Sequence, residues 1–218
     1  MRSLILVLAA ASGVAQGPHR GTASLPADRV LEDTPNYSEA VLKHRSPELL
    51  LSERETTLAQ ATSDFRRLLI LPGVAKAALE AGVNDKAEQY AIKPLQLADK
   101  HQARLTTAEG GRPISDVGDA VFYGHLVLGR LAVLRGDTEA AKKHLLLAGQ
   151  TGGSPTLDTF GPNMSLAREL LKIGERETVL QYLEQCRRFW KDDHGRLDVW
   201  SATVNKSGIP DFGANLFY

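Results

Sequence analysis

Between Val121 and Ala148 the chain repeats its packing positions at helical spacing on two neighbouring rows. Val121, His125, Leu128 and Ala132 step by four, three and four residues, and Phe122, Leu126, Gly129 and Val133 run beside them. Two adjacent rows predict a helix enclosed by neighbours on several sides. Gly129 carries no Cβ, so a partner helix can approach closely there. Gly136 supplies φ > 0 where the helix must stop, and Asp137 is the expected N-cap of the next helix, with Glu139 in its first turn. Ala141, Leu145 and Ala148 then form the inward stripe of that second helix. The whole stretch predicts a helical hairpin.

The same offsets recur on either side. Ala75, Ala78, Gly82, Ala87 and Ala91 match Gly129, Ala132, Gly136, Ala141 and Leu145, and so do Ala167, Leu170, Gly174, Val179 and Leu183, with Cys186 at the place of Ala148. This pattern resembles the tetratricopeptide repeat, a helix–turn–helix of about 34 residues. It departs from the family at His125, where Trp is usual, at Ala132, where Tyr is usual, and at Pro155, a late closing proline. The turn glycines lie 54 and 38 residues apart, so insertions separate the units. An ordinary helical hairpin shares the same packing logic. The resemblance implies an all-α fold: a short solenoid of three irregular hairpins, residues 51–190, closed by a C-terminal cap over 191–218. About three such units are needed to bury each other's apolar faces.

Around the hairpins the pattern is looser. Residues 16–50 hold Gly17-Pro18, Gly21, Pro26 and Pro35 and are expected as a lead-in, with a short helix from Asn36 to His44. Ser46-Pro47-Glu48 is a helix start, and Ser52 with Glu55 a capping box. The helix that follows is expected to run through Leu58, Ala61, Phe65, Leu68 and Leu69 until Pro72 interrupts it. Asp85 with Glu88 is expected to cap a helix that Pro94 kinks. Residues 104–115 and 149–163 are expected as loops. Trp190, Leu197, Trp200 and Val204 predict a last helix over the third unit, followed by strand or coil pinned by Phe212, Phe217 and Tyr218.

Composition removes some functions and the amino terminus adds a compartment. Lys and Arg total 26, as do Asp and Glu, so no net charge draws the chain to nucleic acid or an anionic membrane. Arg2, the apolar run Leu4–Ala11 and the small residues Gly13 and Ala15 predict a secretory signal cut after Ala15, and hence a periplasmic or secreted protein. The run is too short to span a bilayer, and no other stretch is expected to. The sole cysteine, Cys186, leaves no intramolecular disulfide.

Chemistry is sparse in the sequence. None of the six histidines is paired at metal-binding helical spacing, and His125 and His144 are expected as packed residues facing each other across the central hairpin. Asp192, Asp193, His194 and Asp198 are the densest polar cluster. It lacks the alternating oxygen ligands of a calcium loop and is expected as a solvated turn. Cys186 is expected in the core. No phosphate loop or nucleophile elbow occurs, so no cofactor and no metal are expected. Asn36, Asn163 and Asn205 each begin a glycosylation sequon.

In the family resembled, first helices line a concave groove. The residue after each close-contact position is then Lys76, Arg130 and Arg168, a row of cations suited to an acidic peptide or a carboxylate, with Tyr123 and Leu126 as apolar contacts. The family's carboxylate-binding members carry paired Lys and Asn positions that are lacking here. The expected function is a non-catalytic module binding a partner protein or peptide, with no nucleic acid and no membrane insertion. Two rivals are an enzyme using Asp192–Asp198 with His194 and Trp200, and a subunit that self-associates through its apolar ends.

Overall fold

Helix-start chemistry at Ser46, Ser63, Asp137 and Ser154 divides the chain. In each case the side-chain oxygen accepts a hydrogen bond from the backbone N–H three residues on, at 2.9–3.2 Å. The computed structural model describes residues 46–107 and 117–217. The expected signal segment with its cut after Ala15, the helix at Asn36–His44 and the sequon at Asn36 lie outside the described residues. Among those residues there are nine α-helices, one 3₁₀ turn and no strand, so the fold is all-α. The helices are α1 (Pro47–Ala59), α2 (Asp64–Glu80), α3 (Asn84–Thr107), α4 (Val117–Leu134), α5 (Thr138–Gly149), α6 (Pro155–Phe160), α7 (Ser165–Lys172), α8 (Arg176–Cys186) and α9 (Arg196–Asn205), with the 3₁₀ turn at Gly213–Leu216.

Three pairs, α2 with α3, α4 with α5, and α7 with α8, are joined by three-residue turns and pack against each other. All three turns close by the same bonds. The turn glycine is left-handed, at φ 71° for Gly82, 75° for Gly136 and 97° for Gly174. The next residue's N–H reaches back to the carbonyl five residues earlier: Val83 to Ala78 at 2.9 Å, Asp137 to Ala132 at 2.9 Å and Glu175 to Leu170 at 3.0 Å. These are the bonds that satisfy a helix's last carbonyls. First helices also touch first helices, α2 against α4 and α4 against α7, while α5 packs on α8 and α9 on α8.

The central helix α4 reaches three clusters of buried side chains. Phe122, Leu126 and Ala132 join Leu145, Leu166, Leu170, Tyr182 and Trp190. Val127 and Leu131 join Val74, Ala78, Ala87 and Ala91, and Val117 with Ala120 joins Leu68 and Ala98. With 18 residues it is long and apolar enough to cross a membrane, contrary to the expectation that no such stretch follows the amino terminus. Here 56% of it is buried inside the protein, which makes it the core helix.

Several boundaries differ from expectation. The first helix starts at Pro47, inside the expected lead-in, and ends at Ala59; Ser63 then starts a new helix, and Glu55 binds Lys86 at 2.8 Å instead of closing a capping box with Ser52. Pro72 does not interrupt α2; Pro94 sits inside α3, the helix it was expected to kink. An interior proline costs about 3 kcal/mol. Both are buried, and the apolar run from Val74 to Leu79 is buried only if α2 continues. Asp85 lies in the first turn of α3, which extends through Arg104 to Thr107. The stretch expected as a loop over 149–163 contains α6, started by Ser154 and Pro155.

Candidate functional site

Lys76 and Tyr123 come together at a cleft of about 250 Å³ among α1, α2 and α4, lined also by Arg54, Leu69, Pro72, Gly73 and Asp119. Gly73 makes room for this arrangement: a Cβ there would collide with the guanidinium of Arg54. Lys76 is half-buried, lies 3.9 Å from the Glu80 carboxylate and donates to the carbonyl of Phe217. Burial holds its ammonium below the usual lysine pKa, and the nearby charges of Arg54 and Arg130 push the same way against Glu80. Arg54 of α1 and Arg130 of α4 therefore both act on Lys76. Burial, with Asp119 close by, raises the Tyr123 hydroxyl well above its ordinary value.

The expected row of residues is only partly assembled. Arg130 reaches Glu169 of α7 through both Nε and Nη2 at 2.9 Å, so its charge is shared across two first helices. Arg168 does not line the cleft, and its Nε is buried without a hydrogen-bond partner. Leu126 is withdrawn from the groove set: at 2% exposed it packs in the core, because its row faces α5, α7 and α8. Arg54 was not expected. Its place one helix before the first unit carries no signal in the repeat spacing.

His125 and His144 meet as their facing positions imply, with Nδ1 atoms 3.1 Å apart. At that distance one ring donates and the other accepts, so at most one proton lies between them. Burial lowers the His125 pKa from 6.5 to about 4, helped by His144 and Lys143; burial and Lys143 lower that of His144, opposed by Asp137. The Cys186 thiol is fully buried in the core, and burial pushes its pKa up.

Around His194 the polar residues diverge. Asp193 Oδ2 accepts from the Leu197 N–H at 3.1 Å at the start of α9, and Asp198 pairs with Arg187 at 2.7 Å. His194 lines a cleft of about 450 Å³ with Thr159, Phe160, Arg196, Trp200 and Asp211. No hydrogen bond joins it to an aspartate of the cluster, and no group of three metal-ligating side chains occurs among the described residues. Of the sequons, Asn163 is 1% exposed and its side chain holds Ser165, whereas Asn205 is exposed. Compared with known proteins, the chain matches no family model, no curated relative and no solved structure.

Proposed function

We propose that this chain is a non-catalytic interaction module of three tetratricopeptide-like hairpins, working in the periplasm or outside the cell. It holds an acidic or carboxylate-bearing segment of a partner protein against the first helices α2, α4 and α7. The stacking supports this reading, since each first helix touches the next and the three turns close alike. The observation that carries it is the meeting of Arg54 and Lys76 in one cleft beside Tyr123, with Lys76 half-buried and Arg130 near enough to act on it. Charge brought together at such a cost favours an anionic group that completes the site. Arg168 stands on the next first helix, outside the cleft, with a buried Nε that has no hydrogen-bond partner.

Fluorescence polarisation with labelled acidic peptides of about eight residues tests the reading. The double variant Arg54→Ala with Lys76→Ala should weaken binding by about tenfold or more, the scale of one lost charge-assisted contact. Arg168→Ala should weaken it less. Binding that the double variant leaves intact removes the cleft from the function.

A further inference from the structure

Residues after α9 run back across the molecule instead of ending on the cap. Trp200 Nε1 donates to the Asp211 carbonyl at 3.1 Å, and Phe212 packs edge-on against Trp200 with ring centres 5.0 Å apart. Asn215 is fixed next. Its side chain donates to the carbonyls of Phe160 and Pro162, each at 3.0 Å, and its own carbonyl accepts from Met164 N–H at 2.7 Å. Beyond it the hold changes character. Asn163 Nδ2 donates to the Leu216 carbonyl at 3.3 Å, and Lys76 donates to the Phe217 carbonyl.

These bonds carry the segment from the start of α7 to Lys76 on α2. The helix packed between those two is α4. Leu216 packs on the core cluster that Tyr123 also touches, and Phe217 meets Lys76, so the segment ends beside the cleft that Tyr123 and Lys76 line. The Phe217 ring contributes little, being 69% exposed. What the side chains grip is a pair of successive main-chain carbonyls at the end of the 3₁₀ turn, groups that every peptide carries. Phe212 and Asn215 are the buried anchors of the segment; after Asn215 few bonds remain.

We infer that Leu216 and Phe217 are a built-in occupant of the peptide groove, hinged at Asn215, which a partner must displace to reach Lys76. The inference rests on the groove reading above and adds its regulation. The Phe217 carbonyl takes a hydrogen bond from the Lys76 ammonium, so the segment occupies that donor. A partner's backbone carbonyls take over the bonds from Asn163 and Lys76, and its acidic group adds what the native segment does not supply.

Acylation of lysines on the native full chain, read by mass spectrometry, tests this without any partner. Lys76 should react slowly beside the exposed Lys86 and Lys100. In Leu216→Asp its rate should rise by about fivefold or more while Lys86 and Lys100 keep theirs, since labelling follows the opened population. A chain shortened after Asn215, which keeps the buried bonds of Asn215, should behave the same way. An unchanged Lys76 rate in either folded variant overturns the inference. So does global unfolding of both, in which all lysines accelerate together, because a segment required for folding is no displaceable occupant. Failure to find a binding peptide leaves this result standing, and failure here leaves the groove available to a partner as proposed.

Discussion

Gly129 and Gly136 belong to one hairpin and answer to different demands. At Gly129 an added Cβ would stand 3.1 Å from His144 Cβ and collide with the Leu166 side chain, so the glycine lets α4 approach both α5 and α7. At Gly136 a Cβ would meet nothing, but φ is 75°. Gly129→Ala is expected to cost about 1–3 kcal/mol through overpacking. Gly136→Ala should cost about 1 kcal/mol through the left-handed backbone alone. Urea unfolding of the two variants separates these origins: a second change, Leu166→Ala, should recover part of the first loss and none of the second. No recovery in the Gly129 pair would mean that the close approach does not set its cost. That Gly129 permits contact is legible in the spacing. Its second neighbour, Leu166, is not, because the sequence does not say which helix lies across a turn and an insertion.

Between elements, the contact of His125 with His144 gives the central hairpin a pH response. Both rings have pKa values below those of an unfolded histidine, with His125 moved from 6.5 to about 4. Between those limits the unfolded chain binds more protons than the folded one. The pair's contribution to stability is therefore complete above about pH 6.5 and falls as the pH drops towards 4, by at most about 1.4 kcal/mol per pH unit for each ring. Melting temperatures across this range should fall with acidity, and His125→Phe should flatten the slope. A slope unchanged in that variant would place the response elsewhere. The facing of the two histidines follows from the hairpin register and is visible in the sequence. The helix boundaries near α1 and α2 are not. Ser63 before Asp64 is a cap signal that the apolar spacing of Leu58, Ala61 and Phe65 overrides on paper, and Pro72 breaks a helix only where tertiary burial does not hold it.

At the scale of the molecule, the turns and inward stripes are written locally, while the links that tie distant elements are single polar side chains with no local signature. Asn215 shows the difference. It is 4% exposed, and its amide is the donor for the carbonyls of Phe160, at the end of α6, and Pro162, between α6 and α7. The expectation for this region was a strand or coil pinned by aromatics. Phe212 does pin it, but the rest is coil and a 3₁₀ turn held by asparagines, and Phe217 stays exposed. Asn215→Ala leaves both carbonyls without that donor and should cost about 1–3 kcal/mol. The loss should also be spatially selective. The Met164 amide, which donates to the Asn215 carbonyl, should exchange with deuterium faster as the segment loosens. Amides in the middle of α3, around Ala87 and Ala91, belong to a different core cluster and should exchange as before. If both regions accelerate equally, Asn215 supports the whole fold; if only Met164 responds, it anchors the returning segment, and the path from α9 to Lys76 depends on that one amide.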